Sequence, residues 1–209
     1  MRSMHRRALA ALVIAALVPL AHPVTAQKAA GPMGALTTIL PEAQTDGPWT
    51  ARSTATGFTM TNRTEENAVR YFYVNAGEAK GARTVEVDVS VEPRGTGPAL
   101  AGLLYGFDPE TKTYFMLVIE SGERIGLYRR STGGMKRLAQ IAASKFGRGP
   151  YRLALEEEGA TVTMVVNGKR LGTMQADMAG DGATGIIAAG IGTFAFTGFS
   201  VTSQRADAR

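Results

Sequence analysis

Short stretches of alternating apolar and polar residues follow one another along most of this chain. The clearest runs from Thr84 to Val91, where valines occupy every second position and Glu86, Asp88 and Ser90 lie between them. A period of two is typical of a strand that buries one face. Runs of this kind predict strands at 58–62, 69–74, 84–91, 100–107, 114–120, 124–130, 136–139, 151–156, 161–166, 169–174, 184–189 and 194–202.

Turn-forming residues separate these strands at short intervals. The segment Asp108-Pro109-Glu110-Thr111 predicts a hairpin turn. The Asp108 side chain can accept local hydrogen bonds, and Pro109 presets φ at the second turn position. Asn167-Gly168 predicts a two-residue type I′ turn, because both positions of that turn need a positive φ. One helical turn is compatible with 140–146. Many short strands with close turns predict an all-β, two-sheet antiparallel sandwich.

The beginning of the chain has a different pattern. Arg2, Arg6 and Arg7 precede an apolar stretch from Ala8 to Ala21, and small residues before Gln27 complete the pattern of a secretory signal peptide. The apolar stretch is shorter than the roughly 20 residues that a membrane-spanning helix needs, although an uncleaved N-terminal anchor is the alternative. We therefore expect a signal peptide at 1–26, an extended lead-in at 27–48, one sandwich domain at 49–203 and a tail at 204–209. The protein is expected to be exported to the periplasm or the extracellular space.

Removal of this leader would change the chemistry that the protein can use. The full chain has 209 residues, no cysteine, two histidines and a formal net charge of +5. His5, His22 and three arginines lie in the leader, so the mature chain would have a charge of only +2 and no histidine. A nearly balanced charge argues against a nucleic-acid partner. Without histidine or cysteine, the mature chain excludes a Ser-His-Asp triad, a Cys-His pair, a zinc site built from those residues, and disulfides.

The order of the motifs between Leu100 and Ser203 resembles a known superfamily. The motifs are AGLLYGFD, YFMLVIE, GLYRR, GPYRLALEEEGATVTMVVNGKRLGT, TGIIAAG and FAFTGFSVTS. They resemble the concanavalin A-like lectin/glucanase superfamily, particularly the laminin G-like and 3-keto-disaccharide hydrolase-type domains of exported bacterial proteins. The resemblance implies a two-sheet antiparallel jelly-roll sandwich, often with a sugar-binding concave face. It does not imply catalysis, because many members are binding or interaction modules.

Glu86 and Asp88 are the candidate catalytic residues. Alternate residues of a strand share a face, so the two would lie about 7 Å apart at the backbone. Retaining glycosidases use two carboxyls about 5–5.5 Å apart. The stretch is similar to the E-x-D-x-E strand of family 16 glucanases, but Ser90 stands where the last glutamate is expected. The interpretation that we favour is a solvated strand face whose valines enter the core.

Tyrosines and charged residues of neighbouring predicted strands form a candidate binding surface. An aromatic ring offers flat apolar area to a sugar ring, and a tyrosine adds a hydroxyl. Tyr71 and Tyr73 share one face of their strand, opposite Arg70 and Phe72. The candidate binding residues are Arg70, Tyr105, Tyr114, Glu120, Tyr128 and Arg130. The alternative is that the tyrosines fill the core of the sandwich.

Three further charged groups have weaker interpretations. Asp108 and Glu110 are candidate calcium ligands, since calcium prefers carboxylate and carbonyl oxygens, but the hairpin turn also explains them. No other cofactor is expected. The acidic run at 156–158 predicts a solvated hairpin end. The basic residues at 129–130 and 136–137 predict either a patch for anionic polysaccharide or protection of a strand edge.

The remaining chemistry of the mature chain consists of carboxylates, tyrosines and arginines, which suits binding better than catalysis. The sequence therefore favours an exported, non-catalytic module that binds carbohydrate or a glycan-like ligand. A glycoside-processing enzyme using Glu86 and Asp88 is one alternative, and a structural or protein-interaction domain of the envelope is another. We expect no nucleic-acid partner and no membrane span in the mature chain, and the sequence leaves the oligomeric state open.

Overall fold

Two antiparallel sheets packed face to face make up the fold. The structure, a computed structural model, describes residues 40–75, 82–175 and 182–203. The predicted signal peptide at 1–26, the first part of the predicted lead-in at 27–39 and the tail at 204–209 lie outside the described residues. The sheets form the predicted two-sheet antiparallel jelly-roll sandwich.

Strands account for nearly all of the regular structure in these ranges. They are β1 (Ala43–Asp46), β2 (Trp49–Ser53), β3 (Gly57–Asn62), β4 (Val69–Asn75), β5 (Arg83–Pro93), β6 (Ala99–Asp108), β7 (Thr113–Glu120), β8 (Arg124–Ser131), β9 (Gly134–Ala142), β10 (Tyr151–Glu158), β11 (Thr161–Val166), β12 (Lys169–Gln175), β13 (Ala183–Gly190) and β14 (Gly192–Ser203). One 3₁₀ turn, Ala143–Phe146, follows β9, so only the second half of 140–146 is helical. Across the described ranges, no helix is long and apolar enough to cross a membrane.

The order of the strands places consecutive hairpins side by side. The eight-stranded sheet has the order β1-β2-β3-β14-β5-β10-β11-β12, and the six-stranded sheet has the order β4-β13-β6-β7-β8-β9. The main core lies between the two sheets. Each sheet therefore has an inner face towards this core and an outer face away from it.

Strand β5 shows how the alternating pattern sets these faces. Val85, Val87 and Val89 point inwards with at most 1% of their surface exposed, while Glu86 and Asp88 lie on the outer face. Burying each valine contributes about 1.5–3 kcal/mol relative to leaving it exposed, so a shift of register by one residue is strongly disfavoured. This predicted orientation is confirmed.

The turn chemistry is also confirmed. Asn167 and Gly168 have φ values of 48° and 74°, as a type I′ turn requires. At the β6–β7 hairpin, Asp108 Oδ1 accepts a hydrogen bond from the Glu110 N–H at 2.8 Å. Asp108 Oδ2 accepts another from the Thr111 hydroxyl at 2.6 Å. These hydrogen bonds hold the pKa of the exposed Asp108 carboxyl below its usual value, and the bond from Thr111 has the largest effect.

The sequence pattern did not predict strands β1 and β2. All four residues of β1 are exposed, and β2 buries only Trp49 and Ala51. A short edge strand with little buried surface shows no clear alternation, although its backbone pairs regularly with its neighbour. The first sheet therefore begins at Ala43, within the stretch interpreted as lead-in.

A buried ion pair lies on the inner face of the eight-stranded sheet. Arg83 Nη2 is 2.6 Å from Glu157 Oε2, and the two side chains are 1% and 2% exposed. Glu157 follows Leu155 on the inward side of β10, so the prediction of a solvated hairpin end at 156–158 is wrong for its central residue. The Arg83 guanidinium also lies 5.9 Å from the ring centroid of Tyr105, which belongs to the opposite sheet.

Candidate functional site

The outer face of the six-stranded sheet carries an apolar cluster of its own. Leu104, Met116, Val118 and Ile187 belong to this cluster, and each has at most 4% of its surface exposed. The register sets them side by side, because Leu104 pairs with Met116, and Gly102 pairs with both Val118 and Ile187. We call this set the floor. Because these side chains are almost fully buried, the floor is a packed layer beneath the side chains that border it, and those bordering side chains form the candidate functional surface.

Four aromatic side chains of β4, β6 and β7 border the floor. The ring centroid of Phe107 lies 4.9 Å from that of Tyr71, 4.7 Å from that of Tyr73 and 6.0 Å from that of Tyr114. These separations fall in the range of about 4.5–7 Å that favours aromatic pairs. Phe107 reaches this face because the register of β6 shifts near Gly106, which has a φ of 59°. We call these four residues the aromatic cluster; its Tyr73 is 36% exposed.

A carboxylate with two neutral donors borders the floor on the side of β8 and β9. The Tyr128 hydroxyl donates to Glu120 Oε1 at 2.7 Å, and Gln140 Nε2 donates to Glu120 Oε2 at 2.7 Å. Arg124 Nε lies 3.6 Å from Glu120 Oε2. Glu120 is only 9% exposed. We call Glu120, Tyr128 and Gln140 the carboxylate cluster; its hydrogen bonds hold the carboxylate in one orientation.

Gly126 provides the room for this cluster. It lies on β8 opposite Val118 and Gln140. A Cβ at this position would overlap both Glu120 Oε1 and Tyr128 Cε2. Any larger residue would therefore displace the carboxylate or the phenol ring, so the cluster depends on a glycine here.

Tyr128 should make the folding stability of the protein depend on pH in the alkaline range. Burial is the main reason that the pKa of Tyr128 is raised from its usual 10.0 to about 12. The hydrogen bond to Glu120 and the negative charge of Glu120 raise this pKa further, whereas Arg137 lowers it. A raised pKa means that this group's contribution to folding is fully present below pH 10 and is lost as the pH rises towards 12. Urea unfolding between pH 9 and 12 should therefore show a shallower loss of stability for Tyr128→Phe than for the parent protein. Parallel curves would contradict the assignment.

Four of the predicted binding residues do share this outer face. They are Tyr114, Glu120, Tyr128 and Arg130. Tyr114 pairs with Arg130 across β7 and β8, and Tyr128 pairs with Met116 of the floor. Burial raises the pKa of Tyr114, while the nearby positive charge of Arg130 opposes that rise. Tyr71 and Tyr73 also lie here, as their shared strand face predicted.

Arg70 and Tyr105 do not join them. Arg70 is on the inner side of β4, where it forms an ion pair with Asp46 and donates to Gln44 Oε1 at 2.8 Å. It thereby ties the edges of the two sheets together. Tyr105 points into the core and is 1% exposed, so its ring fills the sandwich instead of a binding surface. Both were predicted as binding residues, and both placements are corrections.

The candidate catalytic residues lie on the opposite side of the molecule. Glu86 and Asp88 are on the outer face of the eight-stranded sheet. Arg152 donates to Asp88 through Nε at 3.0 Å and Nη2 at 3.2 Å, and its Nη1 is 4.0 Å from Glu86 Oε2. The Ser200 hydroxyl donates to Glu86 Oε1 at 3.2 Å. The arrangement is an ion-pair network on a solvated strand face, the interpretation favoured from the sequence.

The candidate calcium ligands form only the hairpin turn. Asp108 is engaged by Glu110 N–H and by Thr111, as described above. In the part of the chain that the structure describes, no three His, Cys, Asp or Glu side chains come together in a way that could hold a metal ion.

Sequence reasoning missed Gln140 and Gly126. Along β9 the pairing register shifts, so that Leu127 pairs with Ala139 while the next residue, Tyr128, pairs with Arg137. This bulge places Gln140 and Arg137 on the same outer face although they are an odd number of residues apart. Simple alternation separates them, and nothing in the local sequence identifies the bulge.

No protein-family model and no curated protein matches this sequence. Solved structures do match its fold. A functionally unknown protein from Saccharomyces cerevisiae has a TM-score of 0.51 and 14% identity, over 78% of this chain and 91% of that chain. A carbohydrate-binding module from Bacillus subtilis has a TM-score of 0.49 and 14% identity, over 78% and 97%. The polysaccharide lyase family-7 alginate lyase A1-II′ has a TM-score of 0.47 and 14% identity, over 76% and 84%. At such identities the likeness concerns the fold alone.

Proposed function

We propose that this protein is an exported, non-catalytic module that binds a neutral glycan on the outer face of its six-stranded sheet. The observation that carries the proposal is the carboxylate of Glu120, nearly buried beside an apolar floor and held by two neutral donors. A carboxylate kept in one orientation is a strong acceptor for the hydroxyl groups of a sugar.

The capacity of Glu120 for hydrogen bonds supports this role. An ionised carboxylate has about four lone-pair positions. Tyr128 and Gln140 occupy one position on each oxygen. The remaining positions can accept from sugar hydroxyls, and hydrogen bonds to a charged group are about twice as strong as neutral ones. Arg124 offsets the charge of this carboxylate, so the site has no strong excess of either charge and matches a neutral glycan.

The aromatic cluster supplies the second part of the site. Sugar rings present apolar C–H groups that pack on aromatic faces, and Tyr73 combines an exposed ring with a hydroxyl. Four strand spacings separate β4 from β8, which is about 19 Å at roughly 4.8 Å per strand. A glycan that contacts both Tyr73 on β4 and Tyr128 on β8 is therefore an oligosaccharide, with the floor between its two ends.

Export and the absence of catalysis are part of the proposal. The pattern of residues 1–26 supports export to the periplasm or the extracellular space. The pairing of Glu86 and Asp88 with one guanidinium supports a binding module over a glycosidase that needs a free carboxyl pair.

Glu120→Gln tests this function. Titration calorimetry of the purified protein against a panel of neutral tetra- to hexasaccharides should find a ligand. Glu120→Gln should weaken that ligand about tenfold, since the lost charge-assisted hydrogen bond is worth about 1.5–3 kcal/mol and tenfold is about 1.4 kcal/mol.

The matched control is Glu156→Gln, which changes a half-exposed glutamate on the other sheet. It should leave the affinity unchanged. A panel with no binding, or equal losses in both variants, would overturn the proposed function.

A further inference from the structure

A groove lies on the outer face of the eight-stranded sheet, at the edge formed by β1, β2 and β3. Its volume is about 430 Å³, within the range of about 300–1,000 Å³ typical of small-molecule sites. The residues that line it are Ala43, Gln44, Thr45, Thr50, Ala51, Arg52, Thr59, Thr61 and Arg63. The lining is polar, contains no carboxylate, and has no aromatic or large apolar side chain that could hold a nucleobase or an acyl chain.

Threonines form the middle of the groove. Thr50 pairs with Thr45 on one side and with Thr61 on the other, so these three side chains form a row across the strands. In the neighbouring row, Arg52 pairs with Thr59. Hydroxyl groups in such rows can both donate to and accept from the hydroxyls of a sugar.

Within the described part of the chain, the two arginines of the groove lack the carboxylate partners that five other arginines have. Ion pairs join Arg70, Arg83, Arg124, Arg152 and Arg170 to carboxylates. Among the described residues, neither Arg52 nor Arg63 has a carboxylate partner. Unpaired guanidiniums in a groove without carboxylates favour an anionic ligand, which Arg can bind through two parallel hydrogen bonds.

The position of Arg63 is set by a buried amide. Asn62 is 0% exposed, and its Nδ2 donates to Gly190 O at 2.8 Å and to Glu65 O at 2.7 Å. Its Oδ1 accepts from the backbone N–H groups of Thr64 and Glu65. The backbone on both sides of Arg63 is therefore held, which reduces the entropy lost when a ligand binds.

The spacing of the two arginines indicates the kind of anion. Arg52 pairs with Thr59, and Thr59 lies four residues before Arg63. At about 3.3 Å per residue of extended chain, the backbones of the two arginines are therefore about 13 Å apart along β3. The threonines occupy the interval. We propose that this groove binds an acidic oligosaccharide, with one anionic group at each arginine and sugar hydroxyls along the threonines. This second site is on the opposite face from the carboxylate cluster and does not depend on the proposed function.

Arg52→Gln and Arg63→Gln test the second site. The probe is an oligogalacturonate of four to six residues, titrated by calorimetry at low and at moderate ionic strength, beside a neutral oligosaccharide of equal length and inorganic sulfate. Each variant should weaken oligogalacturonate about tenfold and the double variant about a hundredfold, and added salt should weaken binding further. The neutral sugar should retain its affinity in both variants.

A control variant separates this proposal from its alternatives. Arg148→Gln removes an exposed arginine from the loop before β10 and should leave the affinity for oligogalacturonate unchanged. A lack of binding at low salt, an equal loss in Arg148→Gln, or sulfate binding as tight as that of oligogalacturonate would each overturn an acidic-oligosaccharide site here. None of these results would alter the outcome for the neutral glycan.

Discussion

Arg83→Met should lower the free energy of unfolding by about 3–5 kcal/mol, the usual cost of leaving one member of a buried ion pair without its partner. The side chain of Glu157 is 2% exposed, and its Oε2 accepts from Arg83 Nε at 2.9 Å in addition to the 2.6 Å contact with Nη2. Without Arg83, the carboxylate would remain buried without a counter-charge. Urea unfolding followed by circular dichroism at pH 7 measures the change, provided that the m-value stays constant.

Two companion variants show whether the pair or the packing is responsible. The double variant Arg83→Met/Glu157→Met should recover most of the lost stability, because apolar side chains of similar size often replace a buried pair without penalty. Arg170→Met breaks an exposed pair with Glu156 and should cost less than about 1 kcal/mol. If the double variant is as unstable as Arg83→Met, the loss comes from packing around the site instead of the isolated charge.

Gly126→Ala should abolish glycan binding at the outer face of the six-stranded sheet, with a loss of more than a hundredfold. The added methyl group would overlap Glu120 Oε1 and the Tyr128 ring, so both polar members of the site must move. Overpacking of this kind costs about 1–3 kcal/mol of stability. Titration calorimetry with the neutral oligosaccharide and thermal unfolding measure the two effects separately.

Gly172→Ala is the matched control. A Cβ at Gly172 would meet only Met164 Cε, at an ordinary 3.8 Å, and the residue is exposed on β12 of the other sheet. It should change neither glycan binding nor stability appreciably. If Gly126→Ala binds glycan as tightly as this control, the carboxylate cluster is not the binding site.

Most of the fold follows from local pattern. The alternation in β5 indicates which residues enter the core, and Asn167-Gly168 specifies its hairpin, because burial and backbone sterics act at the level of a few neighbouring residues. Local pattern fails for β1, where every residue is exposed and only the backbone pairing with β2 defines the strand. Local pattern also misjudges the burial of Glu157. Its charge suggests an exposed side chain, whereas its position in β10 points it into the core.

The candidate site was predictable in part. The shared strand face of Tyr71 and Tyr73, and that of Tyr128 and Arg130, follows from a period of two and needs no tertiary information. Whether strands share a sheet, and which face looks outwards, depends on pairing between distant segments. Tyr105 was therefore placed with the other tyrosines although it lies in the core.

The amino-acid pattern of this protein was enough to establish a two-sheet antiparallel sandwich, most of its strands and its hairpins, because these depend on short-range periodicity and turn sterics. The assembly of the site came from the three-dimensional packing. Irregularities in β6 and β9 turn Phe107 and Gln140 onto one outer face, and the approach of β7 to β8 brings Glu120 to Tyr128 over Gly126. A bulge reverses the side-chain direction for every residue beyond it, and its position depends on the partner strand. No local rule could therefore supply it.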